Sequence, residues 1–436
     1  MNRTTSFPWF ATLILAATVI AAPATGALPA SAPAVGKAPA DGLIPTPEPD
    51  WPQWRGPRRD GISDEKGLLP TWPEGGPKLL WKVGNLGKGW SSPIIVGQTL
   101  YITGDVADEL VIYAFDLDGK PRWQGKNGRS WKGSYPGARA CCAYSQGRLY
   151  HMNAHGRVAC LDPNTGKELW TVGVLERFGG KNITWAISEC LVVDGNNVIV
   201  TPGGSKALMA ALDKATGETV WTTEPIAGDR TAYTSPILFR CAGRRILASC
   251  SSGHGFGVDA DTGKLLWTFP LRNRYEVTVT APAFADGRVF YVAPDGPDGT
   301  QYRLHADEKG VRLEETWKTR LDTLTGYTIV ADGALYGSGY RNSKSWWRLD
   351  WETGKTRYEL KDPISGAAVY ADGRLYCLAE DGWAAMLKPT ADRFEVAGRF
   401  RLAQAKGDAW AHPVIFRGRM YLRYHDTLWC FQVKAE

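Results

Sequence analysis

A sequence motif that recurs about every 46 residues constrains the fold of this chain more than any other feature. It consists of an aspartate, a few turn residues, glycine, a charged or polar residue and a closing aromatic. Three full copies are Asp162–Trp170, Asp213–Trp221 and Asp259–Trp267. The closing aromatics are Trp81, Trp123, Trp170, Trp221, Trp267, Trp317, Tyr358 and Phe400. A period of this length is typical of a four-stranded propeller blade.

A second motif precedes these copies and predicts a β-hairpin. The stretches Pro282–Tyr291, Val369–Tyr376 and Pro413–Tyr421 each hold two β-rich runs around a glycine turn. In the first two the turn is Asp-Gly, which is a strong hairpin signal. Each repeat therefore predicts strand, tight turn, strand, loop, strand, Thr-Gly turn and strand. That order is the pattern of an all-β propeller built from four-stranded antiparallel blades.

Closure of the ring predicts eight blades. Seven complete repeats end at Phe400, and residues 412–433 supply three further strands. Residues 78–83 carry the outer-strand aromatic Trp81, but no inner strands precede them. Joining the two ends would complete an eighth blade and hide both sheet edges. We therefore expect an eight-bladed propeller over residues 78–436, with seven blades as the alternative, and we expect a monomer.

The N-terminal residues 1–27 predict a secretory signal peptide. Arg3 gives a positive start, residues 8–22 form an uncharged apolar run, and Thr25-Gly26-Ala27 offers a cleavage site. Residues 28–77 form a leader, in which the Pro- and Ala-rich part 28–50 is expected to be flexible. No later segment approaches the length of a membrane span. We expect an exported, soluble protein in the periplasm or outside the cell.

Charge and cysteine usage exclude several classes of function. The net charge is only +6, and the basic residues cluster in pairs rather than in a stripe, so nucleic acid is not expected as a partner. The eight cysteines include no zinc-type Cys-x-x-Cys spacing. An exported chain permits disulfides, but the sequence does not decide their pairing.

Chain order assigns the loops of each blade to two faces. The loop entering the innermost strand and the loop between the second and third strands share one face, here termed the channel face. The hairpin turns and the Thr-Gly turns share the opposite, hairpin face. Ligands are expected on the channel face, because its loops surround the concave centre of the ring. Its candidate residues are Lys88, Trp90, Arg139, Lys181, Asn182, Trp185, Glu189, Arg230, Tyr233, Tyr327, Asp408, Trp410 and His412, with His155, His254 and His425 from the second-to-third loops.

The repeated motif resembles the pyrroloquinoline quinone repeat of quinoprotein alcohol dehydrogenases and of the propeller lipoprotein of outer-membrane assembly. The resemblance covers roughly residues 78–436. Trp51-Pro-Gln-Trp54-Arg-Gly-Pro57, Phe178-Gly-Gly-Lys181 and Trp410-Ala-His412-Pro413 add a similarity to exported quinone-repeat propellers of the planctomycete type. The resemblance implies the propeller fold, and it implies quinone chemistry only for those members that bind the cofactor.

The adjacent pair Cys141-Cys142 is the sharpest single feature that the resemblance brings out. In quinoprotein alcohol dehydrogenases such a pair forms a disulfide ring over the quinone. The resemblance therefore implies Cys141 and Cys142 as cofactor-binding residues. The channel face adds Arg139, Trp185, Trp90, Trp410 and His412 as further cofactor-binding candidates. Alignment of the hairpins gives a simpler alternative, because Cys142 takes the place of Pro93 and Pro236, and Cys190 is assigned to the same slot. A small buried residue would then suffice there.

Two functions follow from these observations. The first is an exported propeller that binds a protein or small-molecule ligand through its channel face, without catalysis. The alternative is a dehydrogenase that depends on pyrroloquinoline quinone and Ca²⁺. It would need oxygen ligands for the metal and a base for the alcohol proton. Glu189 and Asn182 are the metal candidates, and Asp408 and Glu189 are the base candidates. Glu189 could instead bond backbone amides near the channel.

Overall fold

The computed structural model describes residues 40–296, 298–307 and 310–435, which form one compact unit. The predicted signal peptide at 1–27 and the leader as far as residue 39 lie outside the described residues. Within the described part, no helix is long and apolar enough to span a membrane.

Eight sheets make up the described part of the chain. Three strands precede the ring: β1 (Gly42–Leu43), β2 (Ile62–Ser63) and β3 (Leu79–Val83). Blade 1 holds β4 (Ile94–Val96), β5 (Thr99–Val106), β6 (Glu109–Phe115) and β7 (Pro121–Arg129). Blade 2 holds β8 (Ala143–Ser145), β9 (Arg148–Met152), β10 (Arg157–Leu161) and β11 (Glu168–Gly173), followed by helix α1 (Val174–Phe178). Blade 3 holds β12 (Val192–Asp194), β13 (Asn197–Val200), β14 (Ala210–Asp213) and β15 (Thr219–Thr222).

The second half of the ring repeats the same order. Blade 4 holds β16 (Ile237–Cys241), β17 (Arg244–Cys250), β18 (His254–Asp259) and β19 (Leu265–Pro270). Blade 5 holds β20 (Ala283–Ala285), β21 (Arg288–Tyr291), β22 (Gly299–Asp307) and β23 (Gly310–Thr319). Blade 6 holds β24 (Thr328–Ala331), β25 (Ala334–Ser338), β26 (Trp346–Asp350) and β27 (Thr356–Leu360). Blade 7 holds β28 (Gly366–Ala371), β29 (Arg374–Ala379), β30 (Trp383–Pro389) and β31 (Phe394–Arg401). Blade 8 holds β32 (Val414–Phe416), β33 (Arg419–Tyr424) and β34 (Thr427–Gln432).

The N-terminal strand β3 completes blade 8, as the sequence predicts. It pairs antiparallel with β34, with Leu79 opposite Phe431 and Val83 opposite Leu428. The protein is therefore an eight-bladed β-propeller, and the seven-bladed alternative is discarded. Since β3 and the last strand, β34, share one sheet, separating these two strands would open the ring.

The closing aromatic residue of the repeated motif packs against the next blade. Trp123 Nε1 donates to the carbonyl of Pro163, in the Thr-Gly turn of blade 2, at 2.9 Å. Gly166 in that turn has φ +71°, and a Cβ there would lie 2.5 Å from Trp123 Cε3. This glycine thus supplies both the left-handed turn and the space for the indole. The same type of bond joins further blades through Trp81, Trp170 and Trp317.

Residues 40–50 differ from the flexible leader that the sequence predicts. β1 adds to the inner edge of blade 4, with Leu43 opposite Phe239. Carboxylates of the leader then accept hydrogen bonds from amides of hairpin turns that lack Asp-Gly. The pairs are Asp41 with Ala242 at 2.9 Å, Glu48 with Gln146 at 2.8 Å, Asp50 with Gly97 at 2.6 Å and Glu65 with Arg417 at 2.7 Å. In these turns the repeat supplies no aspartate, and a carboxylate of the leader accepts the hydrogen bond of the turn amide instead.

Residues 51–63, here termed the channel segment, bind the innermost strands around the ring. Trp51 and Ile95 of blade 1 exchange two backbone hydrogen bonds of 3.0 and 2.9 Å. Pro52 accepts from the Tyr144 amide of blade 2 at 2.8 Å. On the other side of the ring, β2 pairs in parallel with β28 of blade 7. Ser63 Oγ donates to Ile415 O of blade 8 at 2.8 Å.

Two buried arginines attach the channel segment to the remaining side. Arg59 donates to the carbonyls of Cys190, Leu191 and Pro236, in blades 3 and 4, at 2.7, 3.0 and 2.8 Å. Arg55 donates to Thr328 O of blade 6 at 2.6 Å. Hydrogen bonds from one segment therefore reach seven of the blades that the structure describes. The channel segment thus connects the innermost strands at the centre of the ring.

Candidate functional site

The channel face carries a cluster of partly exposed aromatic side chains, here termed the mouth. It comprises Trp90, Trp131, Tyr135, Trp185 and Trp410, with the arginine Arg139 among them. They come from the loops that enter blades 1, 2, 3 and 8. The sequence-based set contains four of these residues, namely Trp90, Arg139, Trp185 and Trp410, and the structure brings all four together.

Arg139 joins the aromatic rings into one surface. Its guanidinium carbon lies 5.3 Å from the ring centroid of Trp90 and 5.7 Å from that of Trp131. Its Nε donates to Trp185 O at 2.9 Å. Burial lowers the pKa of Arg139 to about 10, so it stays charged at neutral pH. The result is a cation held between indole faces, with part of its surface open to solvent.

Trp90 and Trp410 form the centre of the mouth. Their ring centroids lie 5.1 Å apart with planes tilted by 31°, and Tyr135 lies 5.3 Å from Trp410. Trp90 Nε1 donates to the backbone carbonyl of Asp408 at 2.9 Å. Tyr135 is 52% exposed, which is high for a side chain packed against another ring. Tyr135 is thus the most open ring of the mouth.

The carboxylate of Asp408, the predicted base, forms hydrogen bonds with two residues of its own blade. Its Oδ2 lies 2.8 Å from His425 Nε2, and its Oδ1 accepts from Tyr424 Oη at 3.1 Å. The His425 ring lies 5.5 Å from Trp90. Both carboxylate oxygens therefore fasten the entering loop to the second-to-third loop. A parallel pair occurs in blade 4, where Asp229 Oδ2 lies 2.8 Å from His254 Nδ1.

The channel segment forms the floor beneath the mouth. Trp54 meets Tyr327 and His412 edge to face, with centroid distances of 5.0 and 5.7 Å. His412, predicted to bind cofactor, is only 7% exposed, and burial lowers its pKa to about 3. It is therefore neutral at physiological pH. His412 is a floor residue beneath the aromatic rings, and it is not part of the exposed surface.

Glu189 bonds the end of a neighbouring strand, as the structural alternative predicted. Its two carboxylate oxygens accept from the amide and the hydroxyl of Thr201, each at 2.9 Å, and it is 1% exposed. Burial raises its pKa to about 8. Asn182 Oδ1 accepts from the amides of Ile183 and Ile187 at 2.9 and 3.1 Å.

These contacts do not fit a bound Ca²⁺. A hard divalent cation needs several free oxygen ligands, several of them carboxylate. The oxygens of Glu189 and Asn182 are already committed to protein donors, and the buried cation Arg59 lies within electrostatic range of Glu189. Among the described residues, no group of three or more His, Cys, Asp or Glu side chains is placed to hold a metal ion. In the structure, the hydrogen bonds of Glu189 and Asn182 fasten the entering loop of blade 3.

The cysteines are free thiols, and all eight are buried. Cys141 Sγ accepts from the Ser92 amide at 3.1 Å, and the Cys141 amide donates to Cys190 Sγ at 3.2 Å. The assignment of Cys190 to the slot of Cys142 is therefore wrong, because Cys190 takes the position of Cys141 in the next blade. Burial raises the pKa of both Cys141 and Cys142, which keeps them protonated. A disulfide over a quinone remains a prediction from resemblance that this geometry does not favour.

Several residues of the site escape the sequence-based set. Trp131 and Tyr135 belong to a Gly- and Pro-rich loop before Arg139, and that composition is a usable signal for an exposed binding loop. Asp105 accepts from the Trp131 amide at 2.9 Å, and burial raises its pKa to about 6. The floor residue Trp54 lies in the leader, where only its unusual aromatic and arginine content hints at burial.

Comparisons with known proteins agree with the fold and the repeat. The family model described as outer membrane protein assembly factor BamB, a pyrroloquinoline-quinone-repeat model, matches residues 107–359, more than half of the chain. The chain belongs to this family. It is 24% identical over 252 residues to the outer membrane protein assembly factor BamB of Yersinia pestis, covering 53% of this chain and 59% of that protein.

Quinone enzymes are also among the relatives. The chain is 31% identical over 159 residues to a lanthanide-dependent methanol dehydrogenase of Methylacidiphilum fumariolicum, covering 33% of this chain and 25% of the enzyme. The chain therefore spans only part of the length of the curated relatives it matches. Among solved structures, BamB from Moraxella catarrhalis superposes with a TM-score of 0.57 at 15% identity over 82% of this chain and 98% of that one. A quinohemoprotein alcohol dehydrogenase from Comamonas testosteroni gives 0.60 at 14% identity, with 89% and 81% covered. At these identities the structures support the fold alone.

Proposed function

We propose that this protein is an exported binding module that holds a protein or small-molecule ligand against the mouth of its propeller. The observation that carries the proposal is the partly exposed aromatic cluster around Arg139. Four indoles and a tyrosine are gathered on the channel face, and Tyr135 at its edge is half exposed. Burial of such rings supplies large binding energy per residue.

The geometry of the channel supports binding at the mouth rather than passage through the ring. Residues 51–63 bind the innermost strands at the centre, and Trp54, Tyr327 and His412 are buried there, so the surface open to a ligand is the rim. The polar groups of the rim are fixed in place by bonds such as that between Asp408 and His425. A rigid rim with pre-formed rings loses little conformational entropy on binding.

The alternative function is a dehydrogenase that uses pyrroloquinoline quinone and Ca²⁺. Its support is the set of quinone-dependent relatives. Against it stand the committed oxygens of Glu189 and the reduced, buried state of Cys141 and Cys142. The geometry therefore favours the binding module. Export to the periplasm and a monomeric state belong to the same proposal.

Photo-crosslinking from the mouth tests this function. A photoreactive amino acid replaces Tyr135 in the cells that make the protein, and adducts are identified by mass spectrometry. The matched control carries the same amino acid at Val220, which is 53% exposed but lies on the outer strand of blade 3. We expect a defined adduct from position 135 that position 220 does not give. Equal labelling at both positions, or none at position 135, would contradict the proposal.

A further inference from the structure

A small cavity lies between the channel segment and the innermost strands of blades 4, 5 and 6. Its volume is about 40 Å³, and Arg55, Arg59, Asp60 and Thr328 form its polar lining. The rest of the wall is apolar and comes from Leu43, Ile237, Pro282, Ala283, Phe284 and Val330. The space exceeds the roughly 10–15 Å³ that one water molecule requires. It can therefore take a water or a small ion.

Two hydrogen-bonding atoms of the lining residues are buried and have no partner among the described residues. They are Arg55 Nε and Thr328 Oγ1. Arg55 is 4% exposed and Thr328 is 2% exposed, so bulk water cannot satisfy them. An N–H of a guanidinium can only donate, and a hydroxyl can also donate. A group in the cavity that accepts from both would remove two unsatisfied donors.

The charge around the cavity is positive. Arg55 and Arg59 donate to backbone carbonyls and to the side-chain oxygen of Gln53. Among the described residues, the hydrogen bonds of these two guanidinium groups all go to carbonyl oxygens, and none goes to a carboxylate. The carboxylate of Asp60 is held at 2.8 Å by Arg58, and its other oxygen accepts from the Ile62 amide at 2.9 Å. Asp60 acts electrostatically on Arg55 and Glu189 acts on Arg59, but neither carboxylate forms an ion pair with these arginines. Buried cations with so little counter-charge are costly, and burial lowers the pKa of both arginines to about 10.

We propose that this cavity binds a small monovalent anion, with halide as the chemical class, between Arg55 Nε and Thr328 Oγ1. The anion accepts from both groups and offsets the charge of the two arginines. A water molecule could also accept from both donors, but it carries no charge to offset that of the two arginines. The proposal is independent of the ligand at the mouth, because the cavity faces the wall of blades 4 to 6 rather than the aromatic cluster.

The anion would also hold the channel segment in place. Arg55 bonds both Thr328 O of blade 6 and Asp60 O within the segment, at 2.6 and 2.8 Å. Binding to the folded form alone raises its stability with anion concentration. Chloride should therefore protect the channel segment against proteolysis.

The test compares chloride with gluconate, which is too large for the cavity, at equal ionic strength. We expect the melting temperature of the full chain to rise with chloride and not with gluconate. Crystals soaked in bromide should give an anomalous peak within hydrogen-bond distance of Arg55 Nε and Thr328 Oγ1. Thr328→Val keeps the shape but removes the hydroxyl, and we expect it to weaken the chloride effect about tenfold.

The matched control is Thr223→Val. Thr223 is likewise fully buried with an unpartnered hydroxyl, but it does not line the cavity. We expect this variant to retain the chloride dependence of the native protein. Equal effects of chloride and gluconate, or a cavity that holds only water in bromide-soaked crystals, would overturn the proposal. So would a Thr328→Val protein whose response to chloride matches that of Thr223→Val.

Discussion

The amide of Cys141 donates to Cys190 Sγ at 3.2 Å across the boundary between blades 2 and 3. The same bond recurs on either side: the Ser92 amide donates to Cys141 Sγ at 3.1 Å, and the Cys190 amide donates to Ser235 Oγ at 2.9 Å. Serine and cysteine thus occupy equivalent positions in four successive blades. Cys141, Cys190 and Ser235 each accept one amide that would otherwise be buried without a partner, whereas the Ser92 hydroxyl donates to His412 O at 2.8 Å. This role explains the two cysteines without any oxidation.

Serine and alanine substitutions at two cysteines test that role, because we expect the preferred replacement to differ between the two sites. At Cys141, we expect serine to be tolerated better than alanine, because serine keeps an acceptor for the Ser92 amide. Alanine there should cost about 1–3 kcal/mol of unfolding free energy. Cys377 is the control, since it is 1% exposed and only burial raises its pKa. There serine should be the worse substitution. Urea unfolding measures all four variants, and the same preference at both sites would contradict this role.

The turn glycine of the repeat offers a second comparison. Gly166 and Gly147 have nearly equal φ values of +71° and +75°. A Cβ at Gly166 would clash with Trp123, whereas nothing lies within 4 Å of a Cβ at Gly147. Gly147→Ala should therefore cost about 1 kcal/mol from backbone strain alone. Gly166→Ala should cost at least about 2 kcal/mol more, because the indole must move. If the two variants lost similar amounts of stability in thermal unfolding, the packing of Trp123 against Gly166 would not be the reason for this glycine.

Removal of Arg59 should release the channel segment. Arg59→Met leaves the carbonyls of Cys190, Leu191 and Pro236 without their donor, at a cost of about 3 kcal/mol or more. We expect new proteolytic cleavage within residues 40–63. The control is Arg58→Met, which breaks only the partly exposed ion pairs with Asp60 and Asp64 and should cost under about 1 kcal/mol. Equal protease resistance of the two variants would contradict a structural role for the segment.

The raised pKa of Glu189 predicts a pH dependence of stability. Its pKa rises from 4.5 to about 8 on folding, so the folded chain holds more protons than the unfolded chain in that interval. The stability contributed by protonated Glu189 is present below pH 4.5 and is lost as the pH rises towards 8. Relative to the native protein, Glu189→Gln should therefore become more stable with rising pH, by up to about 1.4 kcal/mol per unit.

His412 works in the opposite sense, because its pKa falls from 6.5 to about 3 and its contribution is lost as the pH falls below 6.5. The two proteins in the Glu189 comparison share His412, so their difference isolates Glu189. Denaturant unfolding at several pH values gives this difference. A constant difference across the interval would contradict a buried, protonated Glu189.

The repeat made the blades, their count and their closure predictable from sequence. A period of about 46 residues with Asp, Gly and an aromatic at fixed offsets has one structural interpretation, since each offset has a packing reason. Trp123 seated on Gly166 and Leu79 paired with Phe431 are direct consequences. The assignment of loops to faces followed from the same topology, and it placed Trp90, Arg139, Trp185 and Trp410 together.

The channel segment could not be predicted in the same way. Residues 51–63 follow no repeat, and their partners lie in seven blades up to 352 positions away in the chain. Pattern rules describe local periodicity, whereas Arg59 gains its role only from carbonyls that the finished ring brings together. For the same reason, the sequence left two roles open for Glu189, a metal ligand or an acceptor for backbone amides, and only the folded chain shows its partner Thr201.

The measurement that bears most directly on the central claim is a titration of the purified protein with pyrroloquinoline quinone and Ca²⁺, followed by calorimetry and absorbance. Dye-linked oxidation of a panel of alcohols runs alongside. For a binding module we expect no saturable, Ca²⁺-dependent binding at tens of micromolar quinone and no turnover. Saturable binding with alcohol oxidation, both reduced by Cys142→Ala, would contradict the claim and establish the quinone enzyme instead.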